Sequence, residues 1–152
     1  MEAPFRFGLQ RVRDLRAHDE DQAKERFAHS LNARVKGEAM LRAAEDRLRD
    51  AQSDAAPVST GLPLSGQSLV SRQMWVERLK ANRDDAAFHL RGLETQLQDS
   101  RDQLTTASQR REALDKLKQR QRDAHRLQAD RREGAALDEM ALQMHARRRA
   151  AA

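Results

Sequence analysis

The chain has 152 residues, room for one ordinary domain, but only 38% are hydrophobic and 3% aromatic while 35% are charged, a balance that argues against a globular core. The absence of cysteine removes disulfide frameworks, thiolate zinc sites and cysteine nucleophiles together and indicates an intracellular protein. A net charge of +5 and a pI near 10.4 favour an acidic partner, protein or nucleic acid.

Taken from the beginning, Met1 to Leu15 already holds Glu2, Arg6, Arg11, Arg13 and Asp14, so no apolar signal-peptide core is expected. Nowhere does an apolar run approach the roughly 20 residues that span a bilayer. From about Phe5 to Gln52 there is no proline and the composition is that of strong helix formers, which predicts a first helix. Its apolar stripe is irregular: Leu9, Val12, Ala23, Phe27, Leu31, Val35, Leu41, Ala44, Leu48 and Ala51.

From about 53 to 66 the texture changes. Pro57, Pro63, Gly61, Gly66, Ser53, Ser59 and Ser65 crowd into this stretch and predict a loop. Disorder, the competing reading of so polar a chain, would spread such residues throughout rather than gather them in one place. The run Gly61 to Ser68 has the spacing of a phosphate-binding loop, but Gln67 stands where the lysine belongs, Pro63 stiffens the segment and no strand precedes it. A helix N-cap at Ser65 or Ser68 explains the residues better.

A second helix is predicted from about 68 to 148. Val76, Leu79, Arg83, Ala86, Leu90, Leu93, Leu97, Ser100, Leu104, Ala107, Arg111 and Leu114 alternate steps of three and four, and nine of these twelve are apolar. That meets the coiled-coil criterion. Beyond Leu114 the stripe shifts to Leu117 and thins through Ala124, Leu127, Leu137, Met140 and Met144, a slip in the seam. The expected fold is therefore all-α, one antiparallel two-helix coiled-coil hairpin over residues 1–152 with the longer helix second. Intramolecular pairing is preferred to a parallel dimer because a loop of this length reverses the chain without the concentration cost of association.

If Asp54 lies beside Gly66, paired positions sum to about 120, so Phe5 should lie near Asp115 and everything from Lys116 onward should overhang. That overhang needs a host, because an isolated helix gains most of its stability from packing. Between Arg110 and Arg132 nine basic residues face only Glu112, Asp115, Asp123 and Asp130. Either the arginine stems cover a sparse seam or an acidic protein surface takes them up.

Catalytic and metal chemistry are not expected. The five histidines, His18, His29, His89, His125 and His145, never fall at i and i+3 or i+4, so no helix face presents a metal pair. Acid pairs such as Asp84 with Asp85 or Asp138 with Glu139 have no pocket around them and read as solvated charges. Against nucleic acid, the bases are interleaved with acids, the overhang has no stacking aromatic, and the first 30 residues balance six basic side chains with six acidic ones.

The opening Phe5-Arg-Phe-Gly-Leu9-Gln-Arg11-Val12, running on through Leu15, Arg16, Glu20, Ala23 and Lys24, resembles the start of the FliJ family of flagellar export proteins. The far end agrees: Leu117-Lys118-Gln-Arg120-Gln-Arg122, then Arg132-Glu133 and Leu137-Asp138-Glu139-Met140-Ala141, is similar to that family's closing pattern. The resemblance implies a non-enzymatic, cofactor-free stalk of the flagellar type III export apparatus. Such a stalk is cytoplasmic and peripheral to the inner face of the membrane. It enters and stimulates a hexameric export ATPase ring of the FliI kind and links it to a membrane export gate protein of the FlhA kind, with export chaperones as further partners. On that reading Phe5, Leu9, Arg16, Lys118, Arg120, Arg122, Asp138 and Glu139 face the ATPase, and Trp75 and Leu79 face the gate. Leu79 lies on the seam and is equally a core residue; Trp75, the sole tryptophan, lies beside it and suits a binding anchor. Gly134 and Ala136 stand where the family carries longer polar residues, and a glycine inside a helix costs about 1 kcal/mol, so fraying or bending is expected there. The equivalent stalk of an injectisome, a basic nucleic-acid-associated coiled coil and a cytoskeletal scaffold are the competing readings.

Overall fold

A computed structural model describes residues 4–54 and 65–150. Two helices account for nearly all of them: α1, Gln10–Ser53, of 44 residues, and α2, Gly66–Ala150, of 85 residues. There is no strand among the described residues. Both helices are free of proline, and α2 runs unbroken through Gly134 despite the propensity cost of that residue. Ser65 caps α2: its Oγ accepts from the Ser68 N–H at 3.2 Å and its carbonyl from the same N–H at 3.0 Å, satisfying an amide that has no partner within the helix. The centre of the predicted loop, residues 55–64, lies outside the described residues.

α1 starts later than the composition suggests. Phe5 to Leu9 is non-helical, with a turn at Gly8 and Leu9 in which the Gln10 N–H donates to the Phe7 carbonyl at 3.1 Å. This arrangement buries Phe7.

Packing falls into two compact units, Met1–Glu20 with Ala107–Ala152, and Asp21–Thr106. In the second unit Leu48 packs with Val76 and Leu79, with Ala51 at the edge of the cluster. Gly37 lies so close to α2 that a Cβ there would meet Leu93 Cδ1 at 2.6 Å. Positions rise on α1 as they fall on α2, so the helices run antiparallel in this unit.

All twelve α2 seam positions from Val76 to Leu114 are buried or half-buried. On α1 the matching series is Arg13, Arg16, Glu20, Ala23, Phe27, Ser30, Arg34, Gly37, Leu41, Ala44, Leu48 and Ala51, again alternating three and four and again buried or half-buried throughout. The expected α1 stripe was therefore partly misplaced. Leu9, Val12, Leu31 and Val35 are exposed, and polar or small residues occupy seam positions in their stead. The apolar half of this series, Ala23, Phe27, Leu41, Ala44, Leu48 and Ala51, sets the face, and the polar residues at the same spacing are carried into it.

Candidate partner-binding surfaces

The first unit is built from the N-terminal segment, the first turns of α1 and the C-terminal half of α2. The Phe5 ring meets the His125 ring at a centroid distance of 5.8 Å. Lys118 Nζ stands 6.0 Å from the centre of the buried Phe7 ring and donates to Gln10 Oε1 at 2.8 Å. Arg13 Nε donates to Asp115 Oδ1 at 2.8 Å. These pairs correct the sequence register: Phe5 lies opposite His125 rather than Asp115. The symmetric estimate assumed that pairing begins at the loop ends, whereas pairing is set by the close approach at Gly37, by the Leu48 cluster and by these ion pairs.

At the heart of this unit sits an ionic cluster on the seam. Arg111 Nε donates across the pair to Glu20, and its Nη1 donates along α2 to Asp115 Oδ2 at 2.5 Å. Glu20 is only 6% exposed, so its charge is tolerable because a guanidinium reaches it. The Asp115 carboxyl is held below the usual carboxylate range, first by the Arg13 hydrogen bond and against the opposing effect of desolvation. The Arg13 guanidinium is raised chiefly by its bond to Asp115, and that of Arg111 chiefly by its bond to Glu20. This cluster was missed in the sequence. The signal was Arg111, one of three polar residues on a seam of twelve, which calls for an acid at the facing heptad position of α1.

α2 then leaves its partner. Ala129 is buried, and every described residue from 130 to 150 is exposed, so the overhang starts more than ten residues later than the register estimate placed it. Leu137, Met140, Leu142 and Met144 are all exposed there. Leu137, Met140, Ala141 and Met144 share one face by helical spacing, and Arg147, Arg148 and Arg149 close the last turn.

The residues that the resemblance singled out divide accordingly. Leu9, Arg120, Arg122, Asp138 and Glu139 are exposed. Phe5 and Lys118 are half-buried in the contacts above, and Arg16 is held by Asp19 at 3.0 Å. In the second unit Trp75 is 55% exposed and Leu79 only 5%, which puts Leu79 inside the helix pairing while the tryptophan stands out from it. Among the described residues no group of three or more His, Asp or Glu side chains could hold a metal ion, and no helix is long and apolar enough to cross a membrane.

An antiparallel two-helix coiled coil with a charged seam, exposed apolar side chains and a bare helical end belongs to the class of proteins that work through their surfaces. The family model described as Flagellar FliJ protein matches residues 5–150, nearly the whole length. The chain belongs to the FliJ family, non-catalytic helical components of flagellar type III protein export. No curated protein and no solved structure matches the chain.

Proposed function

We infer that the chain is a coupling stalk: its bare α2 end enters the hexameric export ATPase ring and stimulates it, and the Trp75 region engages the membrane export gate. The observation that carries this reading is the length of unpartnered helix from 130 to 150. A helix of that size is marginal in water unless another surface packs on it. Its Leu137, Met140 and Met144 stripe offers adaptable apolar contact. The exposed Arg120, Arg122 and the three closing arginines suit an acidic rim and speed encounter with it. Within the ATPase-facing set, Leu9, Arg120, Arg122, Asp138 and Glu139 make direct contact, while Phe5 and Lys118 hold the N-terminal segment in place beside them and Arg16 is steadied on α1 by Asp19. At the gate-facing end Trp75 is the anchor and Leu79 the residue that fixes the helix beneath it. The protein acts without catalysis or cofactor of its own, in the cytoplasm at the inner face of the membrane, and export chaperones are further candidate partners.

The test is stimulation of the cognate ATPase by the full chain and by a chain lacking 131–152. That cut spares every cross-helix contact described above. Stimulation should be lost while the helical content of the remainder and its melting stay intact; undiminished stimulation would refute the assignment of the bare end.

A further inference from the structure

The seam accounts for one face of α2, yet the most exposed large apolar residues that α2 contributes to the second unit lie on the opposite face. Val70, Met74 and Phe88 are 60%, 68% and 74% exposed. Met74, Ala81 and Phe88 are spaced by seven, so they share one heptad position, about half a turn away from the Val76 and Leu79 seam. A helix with two opposed apolar stripes is built to be packed on both sides. Gly92 extends this second stripe as a notch, since nothing lies within 4 Å of where its Cβ would be.

We propose that this outer face of α2 binds a second copy of the chain, antiparallel, across a two-fold axis at Ala81. The choice of occupant comes from the order of residues about that alanine. Met74 lies seven positions before it and Phe88 seven after; Val70 lies eleven before and Gly92 eleven after. Two-fold pairing therefore sets each methionine on the partner's Phe88, a favourable sulfur–aromatic contact, and each Val70 over the partner's Gly92. The small Ala81 at the axis lets the two backbones approach closely. Charge follows this symmetry to within one residue: the axis sets Arg78 level with the partner's Asp84, which Arg83 holds at 2.8 Å, and Asp85 is the next position along. Arg78 lies three positions before Ala81 and Asp85 four after, and among the described residues neither has an ion-pair or hydrogen-bond partner. Each Arg78 meets the partner's Asp85. The like-charged approach of Glu77 to the same aspartate is offset by Lys80, which holds Glu77 at 3.0 Å. One surface thus supplies both halves of its own complement, the defining property of an isologous contact. A single helix-on-helix contact is small by the standard of stable complexes of about 1,600 Å², so the dimer is weak and forms at high local concentration.

The inference is independent of the coupling role, because Trp75 and the bare end lie off this stripe. It can be tested in the full chain, which has no cysteine. Ala81→Cys should form a disulfide-linked dimer in a glutathione redox buffer at least tenfold faster than Ala113→Cys, a position in the first unit that is also exposed. Adding Arg78→Glu to Ala81→Cys should slow cross-linking, and adding Asp85→Arg as well should restore it, with far-UV circular dichroism unchanged in all variants. Sedimentation equilibrium of the unmodified chain should show a monomer–dimer equilibrium that Phe88→Ala shifts to monomer. Equal cross-linking rates at 81 and 113, no rescue by the charge swap, or a strictly monomeric chain at millimolar concentration would each overturn the proposal; the last would leave the stripe to a different protein.

Discussion

Arg111 reaches across the helix pair to hydrogen-bond Glu20, placing a paired charge on a seam that heptad logic reserves for apolar side chains. Removing Arg111 takes the cross-helix guanidinium from a carboxylate that is only 6% exposed, and removing Glu20 leaves Arg111 to Asp115, while removing both leaves two sites that apolar groups can fill. Arg111→Leu alone should therefore lower the midpoint of urea unfolding, as should Glu20→Leu alone. The double variant should recover most of the loss and can exceed the parent. If the double variant loses the sum of both singles, the pair is not coupled as its geometry indicates.

Asp115 gives the same cluster a pH signature. Its carboxyl is held below the ordinary range by Arg13 and Arg111, so the folded state favours the ionised form more than the unfolded chain does. That contribution is fully present above the unfolded value near 3.9 and fades as pH falls through the lower folded value. Asp115→Asn should be less stable than the parent at neutral pH, and the two melting curves should converge in the acid range below about pH 4. A gap that stays constant down to pH 2 would mean that the charge of Asp115 has no part in holding the helices.

Gly37 and Leu93 test how register is fixed. A Cβ on Gly37 would fall 2.6 Å from Leu93 Cδ1, but that atom is the end of a side chain and not backbone. Gly37→Ala gains about 1 kcal/mol of helix propensity and loses a similar amount in repacking, so it should be nearly neutral. Gly37→Leu has no such escape and should cost about 1–3 kcal/mol by overpacking, measured by thermal unfolding. Trimming the opposing side chain as well, with Gly37→Leu and Leu93→Ala together, should return part of it.

Leu48 and Leu31 separate the true seam of α1 from its apparent one. Both belong to the irregular apolar stripe, yet Leu48 is buried against Val76 and Leu79 while Leu31 is exposed. Leu48→Ala should cost about 2 kcal/mol and Leu31→Ala about 0.5 or less. The contrast shows which parts of the molecule were legible beforehand. On α2 the seam could be read directly because leucines mark it at regular spacing. The hairpin, the longer second helix and the Ser65 cap followed from local chemistry in the same way. On α1 half of the seam, Ala23, Phe27, Leu41, Ala44, Leu48 and Ala51, was read correctly, and the other half is carried by arginine, glutamate, serine and glycine, whose burial depends on facing residues of the other helix. Pairing register was hidden for a related reason: it depends on close approach at Gly37 and on ion pairs between residues far apart in the chain, neither of which leaves a local mark. Burial of Leu79 and exposure of Trp75 followed from the seam, on which the first lies and the second does not, whereas partner roles for the surface residues were legible only through resemblance.

Replacing Leu137, Met140 and Met144 together by glutamine tests the bare end without deleting it. Glutamine keeps helix propensity close to that of leucine and methionine, and none of the three side chains is buried in the isolated chain, so unfolding of the paired region should shift by no more than about 0.5 kcal/mol. Their value lies in a complex, where apolar anchors at the centre of a contact carry most of the binding energy. Calorimetric titration into the export ATPase should show affinity weakened by tenfold or more, a difference of at least about 1.4 kcal/mol. A parallel change of Arg147, Arg148 and Arg149 to glutamine should act mainly on the association rate and should matter less as salt rises. Unaltered affinity in the first variant would show that the exposed stripe is not what the ring holds, whatever the charges around it do.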